Sequence, residues 1–120
     1  MPSDIHILVV DDEEIMRRLF TDILQDQGYT VTTVCHGKEA QEKVGETFFD
    51  IAFVDVHMPV MDGIKTLHML RQISPKTAVV MMDSMPRALL EEFEGAVTCI
   101  HKPFNIKEIK SVVDKIIKKE

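Results

Sequence analysis

The chain has 120 residues, 45% of them hydrophobic and 28% charged, with a formal charge of −6. That length supports one domain with a real hydrophobic core but not two, and no apolar stretch approaches the roughly 20 residues that span a bilayer. The acidic balance argues against a nucleic-acid surface, and the N-terminus lacks the basic-then-apolar pattern of a signal peptide.

The run Ile5-His6-Ile7-Leu8-Val9-Val10 predicts a buried strand, ended by the adjacent acids Asp11 and Asp12. Ile15, Met16, Leu19, Phe20, Ile23 and Leu24 then recur at helical spacing, with Gly28 as the stop. Further strands are expected to start near Thr30, Ile51, Thr77 and Ala96, as continuous apolar runs typical of parallel strands covered on both faces. Helices are expected near residues 37–46 and 86–94. Another is marked by Ile64, Leu67 and Leu70, opened by Asp62 as N-cap and closed before Ser74-Pro75. The last carries Ile106, Ile109, Val112, Val113, Ile116 and Ile117 behind the cap Asn105. Its Lys115, Lys118 and Lys119 oppose the negative end of the helix dipole.

Strand then helix, five times over, predicts an α/β fold: a five-stranded parallel sheet with right-handed crossovers and helices on both faces. The pattern leaves the strand order open, with the flavodoxin-like order 2-1-3-4-5 as the leading candidate. In such sheets ligands bind in the crevice outside the carboxyl ends of the strands. The first strand delivers Asp11-Asp12 there, and Ile51-Ala52-Phe53-Val54 delivers Asp55.

Each acid alone has an ordinary explanation, as a helix cap or a strand-end turn residue. Their conjunction does not. Neighbouring strands lie roughly 4.8 Å apart, and two carboxylates 4 Å apart repel by about 4 kcal/mol at an effective dielectric of 20. A cation or a proton has to offset that repulsion. Few carboxylates and an open face suit Mg²⁺, which keeps several waters and uses one or two acids plus a substrate phosphate. Lys102, in His101-Lys102-Pro103-Phe104, closes the fifth strand on the same edge, where its ammonium can pair with Asp55. Pro103 fixes φ, and a cis bond before it would aim the lysine inward.

Asp11-Asp12, the run from Asp55 to Gly63 (DVHMPVMDG) and Lys102-Pro103-Phe104 together resemble the receiver domain of two-component response regulators, in matching order over essentially the whole chain. The resemblance implies that Asp55 accepts a phosphoryl group from a phosphohistidine on a sensor kinase or histidine phosphotransfer protein. It implies Mg²⁺ held directly by Asp12, Asp55 and the backbone carbonyl of His57, with Asp11 acting through water, and Lys102 paired with the phosphoryl oxygens. The protein would then be a cytoplasmic, stoichiometric phosphoacceptor that assists its own modification rather than an enzyme. It would signal to a downstream protein or output domain through the face of helix 4, strand 5 and helix 5, acting alone or as one module of a larger regulator.

Three departures from that pattern stand out. Where the family carries Thr or Ser at the end of strand four, this chain has Asp83, followed by Ser84. A carboxylate has no proton to donate to phosphate. Either Ser84 takes over, or Asp83 turns outward, or phosphate-driven switching is blunted; Ser84 is the preferred reading. Three residues before the lysine stands Cys99 instead of Tyr or Phe, read as a small buried strand residue. The stretch from Asp83 to Lys102 is about three residues short, which would reshape the partner face where Met85, Leu89, Leu90 and Phe93 lie.

Cys35 and Cys99 have neither metal nor redox spacing. On the proposed strand order they are about 19 Å apart, too far for a bridge. His57 is expected to overhang the acceptor or to be a solvated loop residue, and His6, His36, His68 and His101 show no ligand spacing with it. Two rival functions remain. One is a degenerate receiver acting as a constitutive binding module, which Asp83 and Cys99 favour. The other is a Mg²⁺-dependent phosphatase of the haloacid-dehalogenase type, disfavoured by His57 where a second acid is needed and by the lack of room for a cap domain.

Overall fold

The computed structural model describes residues 5–58, 60–83 and 94–118. In chain order the elements are β1 (His6–Val10), α1 (Glu14–Asp26), β2 (Thr30–Val34), α2 (Gly37–Glu46), β3 (Ile51–Asp55), α3 (Gly63–Ile73), β4 (Ala78–Asp83), β5 (Thr98–His101) and α4 (Ile106–Lys118). The strands form one parallel sheet in the order β2-β1-β3-β4-β5. The helix expected near 86–94, with Ser84, Met85, Leu89, Leu90 and Phe93, lies outside the described residues.

Strand alternation assigns successive side chains to opposite faces. Leu8 and Val10, Ala52 and Val54, Val79 and Met81 pack with Leu67 and Leu70 of α3 and Ala40 of α2. Ile7 and Val9, Ile51 and Phe53, Val80 and Met82 pack with Phe20 and Leu24 of α1 and Ile109 and Val113 of α4. β3 is buried at every position, which is why it reads as an unbroken apolar run ending in one acid. β2, at the edge, is Thr-rich and only half-covered.

The helix ends follow their cap residues. Asp62 accepts from the Lys65 N–H (2.9 Å) at the start of α3. Asn105 and Glu108 exchange side-chain-to-backbone bonds at 2.9 and 3.1 Å at the start of α4, a reciprocal capping box. Beyond α1, Gly28 takes φ +94°, a left-handed conformation open to glycine at little cost. α1 itself starts at Glu14, with Glu13 at the cap position and no side-chain cap. The first described residues of β4 and β5, Ala78 and Thr98, lie one and two positions later than expected.

Two other glycines permit close approach. A Cβ at Gly63 would strike the Asp55 carbonyl oxygen and come within 2.5 Å of Val56 Cα. A Cβ at Gly37 would strike Thr66 Oγ1 and fall 2.7 Å from the sulfur of Met61. α3 therefore rests on the end of β3 at one contact and on the first turn of α2 at another.

Candidate functional site

β1 and β3 are direct neighbours, with Val10 opposite Val54, so the residues that follow them emerge side by side. Asp11 and Asp55 are buried, whereas Asp12 is exposed; one carboxylate oxygen from each of the three lies within 4.8 Å of the others. Asp11 Oδ1 accepts the Glu13 N–H (2.9 Å), which turns the chain into α1 and leaves Oδ2 facing Lys102. Asp55 Oδ1 accepts the His57 N–H at 3.4 Å. Asp11 thus holds the residue that precedes α1, but neither it nor Asp12 is the helix cap expected on the ordinary reading, since Glu13 occupies that position; Asp11 also contributes to the shared acidic pocket.

Lys102 completes the cluster. Its Nζ lies 3.3 Å from Asp55 Oδ1, 3.4 Å from Asp11 Oδ2 and 3.7 Å from Glu13 Oε1. Two contacts hold the chain around it: the Lys102 N–H donates to the Asp83 carbonyl (2.8 Å), and Phe104 packs edge-on against Phe20 of α1 at 5.6 Å. The bond between Lys102 and Pro103 is cis. Residues at the ends of β1, β3 and β5, up to 91 positions apart in sequence, meet at one point.

The electrostatics follow from crowding and burial. Burial first, then the Asp11 charge, push Asp55 up from 3.8 to about 6 against the opposing pull of Lys102 and the His57 N–H. Asp11 is raised by burial, partly offset by the Glu13 N–H and Lys102. Burial alone would lower the Lys102 ammonium, but the facing Asp11 and Asp55 charges override it and hold its pKa above the ordinary value. The pocket carries more negative charge than one ammonium can balance. An all-oxygen donor set with this surplus charge fits a hard divalent ion such as Mg²⁺.

The far side of the pocket differs from expectation. Asp83 is almost fully buried, so the reading in which it turns outward is wrong. β4 pairs on both sides, with β3 and β5, and Asp83 ends it between them. Its Oδ1 lies 3.2 Å from Nε2 of His57, whose side chain is otherwise 57% exposed. His57 is therefore not a loose, solvated loop residue: it reaches from the loop after β3 to the end of β4. Sequence offered no signal for this pair, because 26 positions separate its members and no standard spacing joins them. Ser84 lies outside the described residues. Cys99 is half-buried rather than fully buried, and Cys35 and Cys99, associated with opposite edges of the sheet, are not joined by a disulfide.

A second group of donors also escaped the spacing rules. Cys35, His36 and Glu39, where β2 turns into α2, bring a sulfur, an imidazole nitrogen and a carboxylate oxygen within 4.8 Å of one another. Their separation in sequence (i, i+1, i+4) becomes convergence only because His36 caps the helix, its Nδ1 accepting the Glu39 N–H at 3.3 Å.

The comparisons with known proteins agree with this geometry. The family model of the response regulator receiver domain matches residues 7–114. A protein-glutamate methylesterase/protein-glutamine glutaminase of Caldanaerobacter subterraneus is 34% identical over 99% of this chain and 35% of its own length. The transcriptional regulatory protein ZraR of Escherichia coli is 32% identical over 96% of the chain and 27% of its own. The chain thus spans about a third of the length of these curated relatives. Among solved structures, chemotaxis protein CheY4 of Vibrio cholerae superposes with a TM-score of 0.87 at 30% identity, covering 93% of this chain and 98% of that one. The response regulator TrrA of Thermotoga maritima, in complex with Mg(2+)-BeF, gives 0.86 at 28% identity with the same coverage. With a matching family model, strand order and structural neighbours, the chain belongs to the receiver domain family of two-component response regulators.

Proposed function

We propose that Asp55 is the phosphoacceptor of this receiver domain, and that its signal is the altered surface of the phosphorylated chain. The observation that carries the assignment is the position of Lys102 Nζ, 3.3 Å from Asp55 Oδ1 and 3.4 Å from Asp11 Oδ2, beside three convergent carboxylates. Phosphoryl transfer needs little covalent help from protein; it needs in-line placement and neutralisation of charge on the equatorial oxygens. Lys102 is held where it can release Asp55 and meet a phosphoryl oxygen without leaving its place. Asp55 supplies the attacking carboxylate oxygen, which must be ionised to act, and the buried Asp11 keeps the ammonium anchored on its other side.

Asp12, Asp55 and the His57 carbonyl would hold Mg²⁺, with Asp11 acting through water. When bound, the ion would supply further neutralisation of phosphoryl charge. The phosphoryl donor would be a phosphohistidine on a sensor kinase or phosphotransfer protein, in the cytoplasm, and the reader a downstream protein or output domain. No described helix is long and apolar enough to cross a membrane. The chain would act as a stoichiometric acceptor rather than a turnover enzyme.

The test is incubation with acetyl phosphate and Mg²⁺ followed by intact mass. A single phosphoryl adduct should form, be suppressed by chelator, and be absent in Asp55→Asn. An adduct that persists in Asp55→Asn would refute the assignment. A complete lack of adduct in the parent chain would instead favour a constitutive binding module.

A further inference from the structure

The acceptor pocket is not the only place where this fold gathers metal-binding side chains. At the end of β2, Cys35 Sγ lies 3.0 Å from Glu39 Oε1, and the same oxygen accepts the Cys35 N–H at 2.8 Å. His36, between them in sequence, places an imidazole nitrogen in the same group. All three residues are partly covered, so their donor atoms are neither sealed in the core nor free to wander in solvent.

We propose that Cys35, His36 and Glu39 form a second cation site, which takes a thiophilic divalent ion of the Zn²⁺ type with water completing the coordination. Donor chemistry and geometry both carry this. A thiolate, an imidazole and a carboxylate form a mixed S, N, O set that selects Zn²⁺-like ions over Mg²⁺. The Asp11, Asp12 and Asp55 set offers oxygen alone. In a tetrahedral Zn²⁺ site, bonds of roughly 2.0–2.3 Å place neighbouring donors about 3.5 Å apart. The three donor atoms here already lie within 4.8 Å of one another. Closure therefore needs side-chain adjustments of about 1 Å rather than a refolded turn, and the backbone that must hold them is already set by the start of α2.

Two features oppose a bare cation at this place. One is the positive end of α2. The other is Arg17, whose Nη1 donates to the Asp11 carbonyl at 2.7 Å and whose charge reaches Cys35 and Glu39. Binding consequently depends on both anionic donors together. The Cys35 thiol, which donates its hydrogen to Glu39, must lose that proton to solvent as the sulfur–metal bond forms. Glu39 Oε1 then keeps the Cys35 N–H and turns the lone pair that faced the thiol towards the ion.

The probe is Co²⁺, added to the intact chain in excess Mg²⁺ so that the all-oxygen pocket is saturated. A thiolate-to-cobalt charge-transfer band should appear at one equivalent and be abolished by Zn²⁺. Cys99→Ser should retain the band, and Cys35→Ser should lose it. Glu39→Gln and His36→Asn, the latter retaining a side chain able to cap the helix, should each weaken binding by more than the roughly 10–100-fold cost of losing an outer-shell partner. Helical circular dichroism of each variant guards against simple unfolding; if the His36 variant fails that check, the Glu39 variant decides. Three results would overturn the proposal: no thiolate band, a band that survives in Cys35→Ser, or unchanged affinity in Glu39→Gln, which would reduce the site to a lone thiol.

Discussion

The two sides of the acidic pocket are built on different principles. On one side Asp11, Asp55 and Lys102 form a charged cluster in which each member is held by backbone pairing or a neighbouring element. On the other, an imidazole that is more than half exposed reaches a carboxylate that is almost fully buried. The first arrangement is poised for an incoming anion, because its ammonium already bridges two acids. The second places a carboxylate where a hydroxyl would be expected, with a histidine bound to it. A largely buried ammonium thus holds the acids at the ends of β1 and β3, whereas an exposed imidazole contacts the acid at the end of β4.

Breaking the fixed side should have the largest effect. Lys102→Ala leaves two buried carboxylates without their ammonium, and loss of one member of a buried charge cluster costs about 3–5 kcal/mol. Chemical denaturation without metal should show this loss at neutral pH, with part of it recovered on adding Mg²⁺. A variant as stable as its parent would mean that the cluster is already well solvated.

Removing one of the crowded acids should act in the opposite direction. Asp55 is raised from 3.8 to about 6, so between those pH values the folded chain keeps a proton that the unfolded chain has released. Its contribution to stability is full below about pH 4, is lost as pH rises through about 6, and changes little above that. Asp55→Asn should therefore be more stable than the parent at pH 7.5 without metal, by about 1–3 kcal/mol, and the difference should vanish near pH 3.5. Equal or lower stability of the variant at pH 7.5 would contradict the proposed crowding.

The smallest effects belong to the histidine side. Asp83→Thr removes a negative charge near the phosphoryl position and adds a hydroxyl donor, so affinity for beryllofluoride with Mg²⁺ should rise by about tenfold, equivalent to about 1.4 kcal/mol. Calorimetric titration reads this directly. If neither Asp83→Thr nor Ser84→Ala changes that affinity, neither residue senses the phosphate.

Most of the frame was legible in sequence because periodicity reports burial. β3 is an unbroken apolar run since it lies centrally and is covered on both faces, and Asp62 and Asn105 announced their helices through ordinary capping chemistry. Lys102 was legible because its strand had to end on the same edge of the sheet as the strands that precede Asp11 and carry Asp55. The His57–Asp83 pair was not, since it depends on which rotamer a loop side chain adopts across a gap between strands. Nor was the Cys35, His36 and Glu39 cluster, where adjacent residues converge only once the chain leaves β2 and turns into α2. Spacing rules capture regular elements; these groups arise where one element gives way to another.

The bare Cα positions of Gly37 and Gly63 give α3 a mechanical role. At Gly63 the start of the helix lies directly on the peptide group that carries Asp55, with no side chain between them, while at Gly37 the side chains of Thr66 and Met61 press on the turn that carries His36. A larger residue at position 63 would therefore lift the helix off the backbone of the residue that carries the carboxylate.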